Sequence, residues 1–409
     1  MSRNLLTADQ VAIRLGVQRA TVYAYVSRGL LSRTVGDDGR TSWFDPDEVD
    51  ALARRGRPRT RTERAGSVDV VLASGLTQIV GGRLRYRGHD VADLAGSVSF
   101  EATAELLWTG TLPESPVTWP APRRELDAAG AATDTLPPSA PIAARLATAV
   151  AAVAAADEAR GDLRPETVRR KARVLLGVLA RTPAPVGTAA DPTESASVAA
   201  HLWPRLSPQR PTTARVGALD AALVLLADHE LATSTLAARV AASTRANPFA
   251  CVLSAIGALS GPLHGRAAIG THRVLAEALA TGNAAAAVDG ALETQERFPG
   301  LGHALYDGID PRAVVLLDRV DRIASPRVAA TIDAVRRIAV DATGEQPNVD
   351  FALGALALSG AMPFGTTEGV FAVGRTAGWI AHVLEEYDER PLRFRPRAIY
   401  TGTSTPATS

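Results

Sequence analysis

Four short polar segments interrupt an otherwise apolar sequence. Between them they contain histidine, arginine and aspartate, and two of them are rich in glycine. DHELATST places His229 between two acidic residues, and GPLHG places His264 between glycines. GHALYDGIDPRA contains His303 and Arg312, and PNVDF sets Asp350 at the head of an apolar helix. Imidazole and carboxylate groups exchange protons near neutral pH, and guanidinium groups bind carboxylates. These residue types indicate acid–base chemistry on an anionic substrate.

Each of these residues also has a purely structural interpretation. His229 could be a satisfied surface histidine, and His264 and His303 could only cap turns. Asp350 could be a plain helix N-cap, and Arg375 in FAVGRTAGWIAH could extend from an apolar helix towards water. Taken singly, none of these residues decides the function.

The elements that must position these side chains are mainly helical by pattern over residues 67–409. SFEATAELLWTG, DAALVLLADHEL and TEGVFAVGRTAGWIAHVLEEY show helical periodicity, and several such segments are apolar on nearly every face. Asp310, followed by proline, has the residue types of a helix start. Short strands are expected around Gly81–Gly82, and the Pro/Ala/Thr-rich stretches 114–142 and 181–194 are expected to be loops.

A separate small domain is expected over residues 1–53. The segment LLTADQVAIRLGV predicts a helix with Thr7 as its N-cap, and RATVYAYVSRGLL predicts a second helix that ends at Gly29. A hairpin with the turn GDDG and a closing helix capped by Asp45 follow. This order resembles the winged helix-turn-helix DNA-binding domains of the MerR and excisionase type.

That resemblance implies that the helix at 19–28 enters the major groove of duplex DNA. The side chains available for bases or phosphates would then be Arg19, Thr21, Tyr23 and Arg28. The alternative is a helix-turn-helix that serves only as a protein-contact module.

Charge is uneven along the chain, although the formal net charge is only +1. Residues 1–66 contain 12 Arg against 8 Asp and Glu, which leaves the remainder at −3, so any nucleic-acid role belongs to the N-terminal part. Residues 54–66 are predicted to be an Arg-rich linker. Its RGRPR sequence is similar to an AT-hook core, and the alternative is a solvated hinge with general phosphate affinity.

A cytoplasmic protein is expected from two features of the composition. The single cysteine, Cys251, excludes an intrachain disulfide framework. The segment MSRNLLTADQ lacks the apolar core of a signal peptide, and no apolar run reaches the length of a membrane span, so no membrane association is expected.

Seven motifs of residues 86–402 together resemble the citrate synthase family. In chain order they are YRGHDVADLA, DHELATST, GPLHG, GHALYDGIDPRA, PNVDF, FAVGRTAGWIAH and RPRAIYTG. The resemblance implies a mainly α, multi-helical fold after the small winged helix-turn-helix domain. It also implies a large domain over 67–265 and 361–409 and a small domain over 266–360.

The same resemblance implies condensation of acetyl-CoA or propionyl-CoA with oxaloacetate, which gives citrate or 2-methylcitrate. Asp350 matches the family's base, and His264 matches the donor to the thioester oxygen. His303 matches the group that polarises the oxaloacetate carbonyl. No metal and no cofactor are implied, since the acyl-CoA is a co-substrate.

Four further residues match the family's oxaloacetate ligands. By similarity Arg312, Arg375 and Arg395 hold the carboxylates, with His229 assisting. The arginine that matches Arg395 comes from the partner subunit in the family, which implies a homodimer.

The sequence departs from the family where CoA would bind. Arg266 stands where the family has glycine, and Ala304 and Asp307 stand where basic residues are common. Glu345 precedes PNVDF, where a lysine is frequent, so weaker binding of the anionic CoA is expected, with Arg266 compensating in part. An alternative function is a DNA-binding regulator whose body senses oxaloacetate, citrate or acyl-CoA without turnover.

Overall fold

The computed structural model describes most of the chain as two units, residues 1–72 and 73–409. The described residues are 5–15, 19–27, 30–36, 41–46, 48–49, 70–188, 190–261, 264–294, 297–306 and 308–396. The predicted linker at 54–66 lies outside them. The predicted division of the second unit into large and small domains stays a prediction.

The first unit contains two helices and a small antiparallel sheet. Its described elements are β1 (Leu6–Thr7), α1 (Ala8–Leu15), α2 (Arg19–Ser27), β2 (Thr34–Val35) and β3 (Ser42–Phe44). The strand order is β1-β3-β2, and both pairings are antiparallel. Val11, Val22 and Phe44 are among the buried residues of its core. The expected order of two helices followed by a hairpin is confirmed for these residues.

The start of α1 is closed by a reciprocal pair of hydrogen bonds. The Thr7 hydroxyl accepts from the Gln10 N–H at 3.3 Å, and the Gln10 side-chain oxygen accepts from the Thr7 N–H at 2.8 Å. This is a capping box, so Thr7 is the N-cap as predicted. Gly29 and positions 37–39 of the predicted GDDG turn lie outside the described residues. The same holds for most of the closing helix predicted after Asp45.

The second unit begins with a three-stranded antiparallel sheet of order β4-β5-β6. Its strands are β4 (Thr77–Val80), β5 (Arg83–Tyr86) and β6 (His89–Asp90). Both connections are two-residue loops with positive φ at each position. Such loops are favoured between antiparallel strands because their twist matches the right-handed twist of the strands. The first loop is Gly81–Gly82, as expected from the sequence, and the second places Arg87 at φ +49°.

Fifteen helices follow in the described part of this unit. They are α3 (Val91–Ser97), α4 (Phe100–Thr109), α5 (Arg123–Asp134), α6 (Ile142–Ala156), α7 (Pro165–Leu179), α8 (Val198–Leu206), α9 (Thr213–Leu226), α10 (Thr233–Ser243), α11 (Pro248–Leu259), α12 (Ala267–Thr281), α13 (Ala284–Thr294), α14 (Pro311–Asp321), α15 (Pro326–Thr343), α16 (Val349–Ser359) and α17 (Thr366–Asp388). The mainly helical class predicted from the sequence is confirmed.

The helix α17 is the centre of the core. Every residue from Thr366 to Val383 is buried. It packs against α4, α6, α7, α9, α10 and α11, while α16 packs against α12 and α14. A segment surrounded in this way must be apolar on all faces, which explains its sequence. Polar residues within α17 are therefore buried, and each needs a partner or a ligand.

One predicted loop contains a helix. Within 114–142, α5 runs from Arg123 to Asp134. The helix packs against α6, and its Ala129 and Thr133, four residues apart, are buried. Alanine-rich sequence has high helix propensity, so one packed face is enough to order it. The described part of 181–194 contains no helix or strand, as expected.

No helix in the described ranges is both long enough and apolar enough to span a membrane.

Candidate active site

The loop that carries His303 packs directly on the start of α16. Gly300 has a φ of +84°, and a Cβ there would lie 2.8 Å from the Phe351 backbone nitrogen. The His303 Nδ1 atom accepts a hydrogen bond from the Leu305 N–H at 3.0 Å. A neutral imidazole that accepts at Nδ1 carries its proton on Nε2. The donor of His303 is therefore Nε2, and Arg312 Nη2, 3.4 Å away, is also a donor and cannot accept from it.

The imidazole of His303 is neutral at physiological pH. Burial and the nearby Arg312 guanidinium lower its pKa to about 4. It can polarise a carbonyl by donating from Nε2 without carrying a charge itself. The capping interpretation thus holds for Nδ1, and Nε2 is left for a ligand.

Arg312 is fixed by a two-point ion pair with Asp310. Its Nε and Nη2 atoms donate to the two carboxylate oxygens at 3.0 and 2.8 Å. Asp310 also accepts from the Arg312 N–H and from the Val349 N–H, each at 3.0 Å. The predicted cap is confirmed, and it additionally joins α14 to the start of α16. In the described part of the chain, Arg312 Nη1 has no hydrogen-bond partner and is available to an anion.

Arg375 is a buried cation inside α17, with an exposed fraction of 1%. Its Nε donates to the Leu226 carbonyl at 2.7 Å, and its guanidinium carbon lies 4.8 Å from the centre of the Phe371 ring. No carboxylate of the described residues forms an ion pair with it. The interpretation that Arg375 extends to water is wrong, because α17 is enclosed by other helices. A buried guanidinium with two unpaired terminal nitrogens is suited to an anionic ligand.

His264 lies at the other side of Phe371, with ring centres 6.1 Å apart. Its Nε2 atom is 2.9 Å from the Ser234 hydroxyl and 3.4 Å from the Ser234 N–H. The Trp379 indole N–H donates to that hydroxyl at 3.3 Å, and the Ser234 N–H, which can only donate, faces Nε2. Nε2 is therefore an acceptor, and the ring proton lies on Nδ1. Nδ1 has no hydrogen-bond partner among the described residues.

Asp350 lies in the first turn of α16, but it does not cap that helix. The N-cap is Asn348, whose side-chain oxygen accepts from the N–H groups of Asp350 and Phe351 at 2.9 and 3.4 Å. The Asn348 side-chain N–H also donates to the Gly302 carbonyl at 2.8 Å. One side chain thus links the loop of His303 to the backbone of Asp350.

The pKa of the Asp350 carboxyl lies in the range that lets it act as a base near neutral pH. Its Oδ1 atom is buried without a hydrogen-bond partner. Burial raises its pKa to about 6, although Arg312 and Arg375 favour the charged form. At pH 7 it is therefore mostly ionised and poorly solvated, which suits proton abstraction.

His229 completes the cluster and is buried, so it is not a surface histidine. Its Nε2 atom lies 3.0 Å from the Tyr306 hydroxyl, and its ring centre lies 5.2 Å from that of His303. Burial, Arg312 and Arg375 lower its pKa well below the usual value. Six of the seven predicted site residues therefore lie together. His229, His264, His303 and Asp350 lie around the guanidinium groups of Arg312 and Arg375.

Arg395 is the exception. It is exposed in the segment after α17, and within the described residues of its own chain it has no hydrogen bond or ion pair. Its neighbour Arg393 instead pairs with the buried Glu386 at 2.6 Å.

The residues predicted to contact DNA are described only in part. Arg28 lies outside the described residues, and the side chain of Arg19 at the start of α2 is not among them. Thr21 and Tyr23 are half-buried in α2, and Tyr23 packs against the core of the first unit. A structural role is therefore shown for Tyr23.

Of the predicted departures near CoA, Arg266 is exposed. Burial raises the pKa of Glu368, and the charge of Arg266 opposes this shift only in part. Glu345 lies against the Gly302 backbone beside His303. Asp307 lies outside the described residues.

A cavity of about 780 Å³ lies elsewhere in the described chain and includes Arg181, His201 and Arg205 in its lining. Arg181 donates to the carbonyls of Gly177 and Glu194 and lies 2.7 Å from His201 Nε2. Arg205 pairs with an aspartate and donates to two carbonyls. Because these guanidinium groups already have protein partners, we place the candidate active site at the histidine cluster.

Four residues of the site were not predicted: Ser234, Tyr306, Asn348 and Trp379. All four lie inside the quoted motifs, so their position was visible. Their partners were not, because each contacts a segment far away in the chain. Within the described residues, no group of three or more His, Cys, Asp or Glu could hold a metal ion.

Fold and cluster together define a mainly helical enzyme with acid–base groups beside an anion site. A family model described as citrate synthase, C-terminal domain, matches residues 68–397. Citrate synthase 2 of Bacillus subtilis is 32% identical over 354 residues, covering 81% of this chain and 94% of that protein. Citrate synthase of Haloferax volcanii is 34% identical over 346 residues, covering 78% and 90%.

Solved structures agree with these relatives. Citrate synthase of Thermoplasma acidophilum, in a ternary complex with carboxymethyl coenzyme A and oxaloacetate, matches with a TM-score of 0.68 and 26% identity. That match covers 82% of this chain and 95% of that one. The chain belongs to the citrate synthase family.

Proposed function

We propose that this chain condenses an acyl-CoA with oxaloacetate to give citrate or 2-methylcitrate and free CoA. The observation that carries the proposal is the grouping of Arg312, Arg375, His303 and Asp350, which come from three separate segments. Two buried guanidinium groups with unpaired nitrogens suit a dianion such as oxaloacetate. The acyl-CoA is a co-substrate, and the reaction uses no further cofactor.

In this proposal Asp350 removes a proton from the methyl or methylene carbon next to the thioester. Such a carbon is a very weak acid, so a donor must meet the oxygen on which the enolate charge develops. His264 supplies this donor from Nδ1, and Ser234 holds its Nε2. His303 donates from Nε2 to the ketone oxygen of oxaloacetate, which makes the ketone carbon electrophilic. The enolate carbon then forms the new carbon–carbon bond to this ketone carbon. Hydrolysis of the citryl thioester then releases CoA.

The test is thiol release from acetyl-CoA and from propionyl-CoA, each with oxaloacetate. Asp350→Asn, which keeps the size of the side chain, should abolish release while oxaloacetate still binds. Release that survives Asp350→Asn contradicts the assignment of the base. No release from the wild-type chain with either thioester contradicts the function.

The proposed dimer has its own test. We propose that Arg395 completes the oxaloacetate site of a partner subunit, which its exposure and its lack of partners among the described residues of its own chain support. Mixed dimers of Asp350→Asn and Arg395→Ala chains would contain one intact site if Arg395 acts across the interface. Activity should then reappear after subunit exchange. Absence of recovery in verified mixed dimers would place Arg395 in its own subunit's site or outside both.

We further propose that residues 1–53 form a winged helix-turn-helix domain that binds duplex DNA. The order of α1, α2 and the β2–β3 hairpin supports this, as does the excess of arginine before residue 66. The full chain should bind duplex DNA with an affinity that falls steeply as salt rises. A fluorescence titration that finds no salt-dependent binding near physiological ionic strength would reduce this unit to a protein-contact module.

A further inference from the structure

Tyr306 occupies the centre of the histidine cluster. Its ring centre is 5.8 Å from that of His229 and 4.7 Å from that of His303. The Arg312 guanidinium carbon lies 5.9 Å from the same ring, and Tyr306 is only 5% exposed. It therefore contacts three of the residues that the proposed function assigns to oxaloacetate.

The Tyr306 hydroxyl is a hydrogen-bond donor. Burial raises its pKa far above the usual value, so the phenol stays protonated at any physiological pH. His229 is neutral, since burial and two guanidinium groups oppose its charged form. The 3.0 Å contact joins this phenol to a neutral imidazole, which accepts at Nε2 when its own proton is on Nδ1. In the described chain this is the single hydrogen bond of the Tyr306 hydroxyl.

A bound dianion would compete for this donor. Hydrogen bonds to an ionised oxygen are shorter and about twice as strong as those between neutral groups. A carboxylate held by Arg312 would lie beside the Tyr306 ring, because that guanidinium already packs on it. The neutral imidazole of His229 is the weaker acceptor of the two.

On the basis of the proposed function, we propose that Tyr306 is a substrate-binding residue whose hydroxyl turns from His229 to a carboxylate of oxaloacetate. His229 Nε2 is released by this exchange. The neutral ring can then move its proton to Nε2 through solvent and donate to the same dianion. Tyr306 thus satisfies the hydrogen-bonding need of His229 in the absence of substrate, and it supplies one additional donor to the bound substrate.

The test is Tyr306→Phe, which keeps the ring between the two histidines and removes only the hydroxyl. Loss of a hydrogen bond to a charged group should weaken oxaloacetate binding about tenfold or more in calorimetric titration without acyl-CoA. KM for acyl-CoA should change little. If Tyr306 only satisfies His229 in the empty site, removing the hydroxyl costs nothing in the complex. Affinity that is unchanged or tighter would therefore overturn the inference.

A matched control is Tyr387→Phe. The Tyr387 hydroxyl donates to the Ala246 carbonyl at 2.5 Å, outside the cluster. This variant loses a phenol hydrogen bond of similar quality and should bind oxaloacetate as the wild type does. Equal weakening in both variants would mean a general loss of packing, which contradicts a specific contact.

A second measurement needs no variant to fold. Oxaloacetate added to the wild-type chain should change the tyrosine ultraviolet spectrum, because one phenol exchanges its acceptor. A wild type that binds oxaloacetate without this change would overturn the inference. A wild type that neither binds oxaloacetate nor releases thiol would instead contradict the proposed function, so the two failures are distinguishable.

Discussion

Lowering the pH should slow the proposed reaction by protonating Asp350. A carboxyl with a pKa of about 6 is about nine-tenths ionised at pH 7 and about one-tenth at pH 5. The base must be ionised, so kcat/KM should fall about tenfold between these pH values and reach a plateau above pH 7. His303, with a pKa of about 4, stays neutral throughout this range and adds no limb to the profile.

The assay is thiol release with oxaloacetate varied between pH 5 and pH 8, after a stability check at each pH. Burial also raises the pKa of Asp220, to about 7, so this residue could produce a similar limb indirectly. Asp220→Asn is therefore the control, and the limb should persist in it. A rate that stays nearly constant down to pH 5, as expected for an ordinary aspartate pKa near 4, would refute the assignment to Asp350, and so would a limb that is lost in Asp220→Asn.

Three further predictions concern the framework of the site. Asp220→Asn should raise the free energy of unfolding at pH 8 by about 1 kcal/mol or more, because an acid whose folded pKa is raised destabilises the fold as the pH rises from its unfolded pKa near 4 to its folded pKa of about 7. In urea unfolding the gain should be smaller at pH 5 and should vanish below about pH 4. Lys171→Met should lower the free energy of unfolding by about 3–5 kcal/mol, because Asp157, 3.1 Å from the ammonium, loses its cation; a loss below about 1 kcal/mol would contradict a buried pair. Asn348→Ser should keep the cap of α16 but lose the bond to Gly302, so kcat should fall with little loss of stability, while Asn348→Ala should cost about a further 1 kcal/mol in the same unfolding assay. Equal stability of the Ser and Ala variants would show that the cap contributes nothing.

The comparison of sequence and structure is clearest in α17. Its pattern predicts a buried helix, and Arg375 within it could be taken as either a ligand or a residue reaching for water. The helix was correctly predicted because periodicity depends on local geometry. Whether the Arg375 side chain is buried or reaches water depends on which helices enclose α17. The pattern of one segment does not contain that information.

The candidate site shows the same division. Residue types and order were enough to select His229, His264, His303, Asp350 and Arg312, and the structure draws them together. Their protonation states could not be predicted, because each depends on a partner or on burial. For His264 the partner is a hydroxyl 30 residues away.

The sequence by itself determined the mainly helical class, the separate N-terminal unit and the residues with catalytic chemistry. These follow from local periodicity, composition and functional-group type. Only the tertiary structure revealed the contacts of Tyr306 and Asn348, whose side chains bond to segments 77 and 46 residues away in the chain. The physical reason is that helical periodicity specifies which face of a segment is buried, whereas hydrogen-bond partners and pKa shifts depend on what the packed chain places against that face.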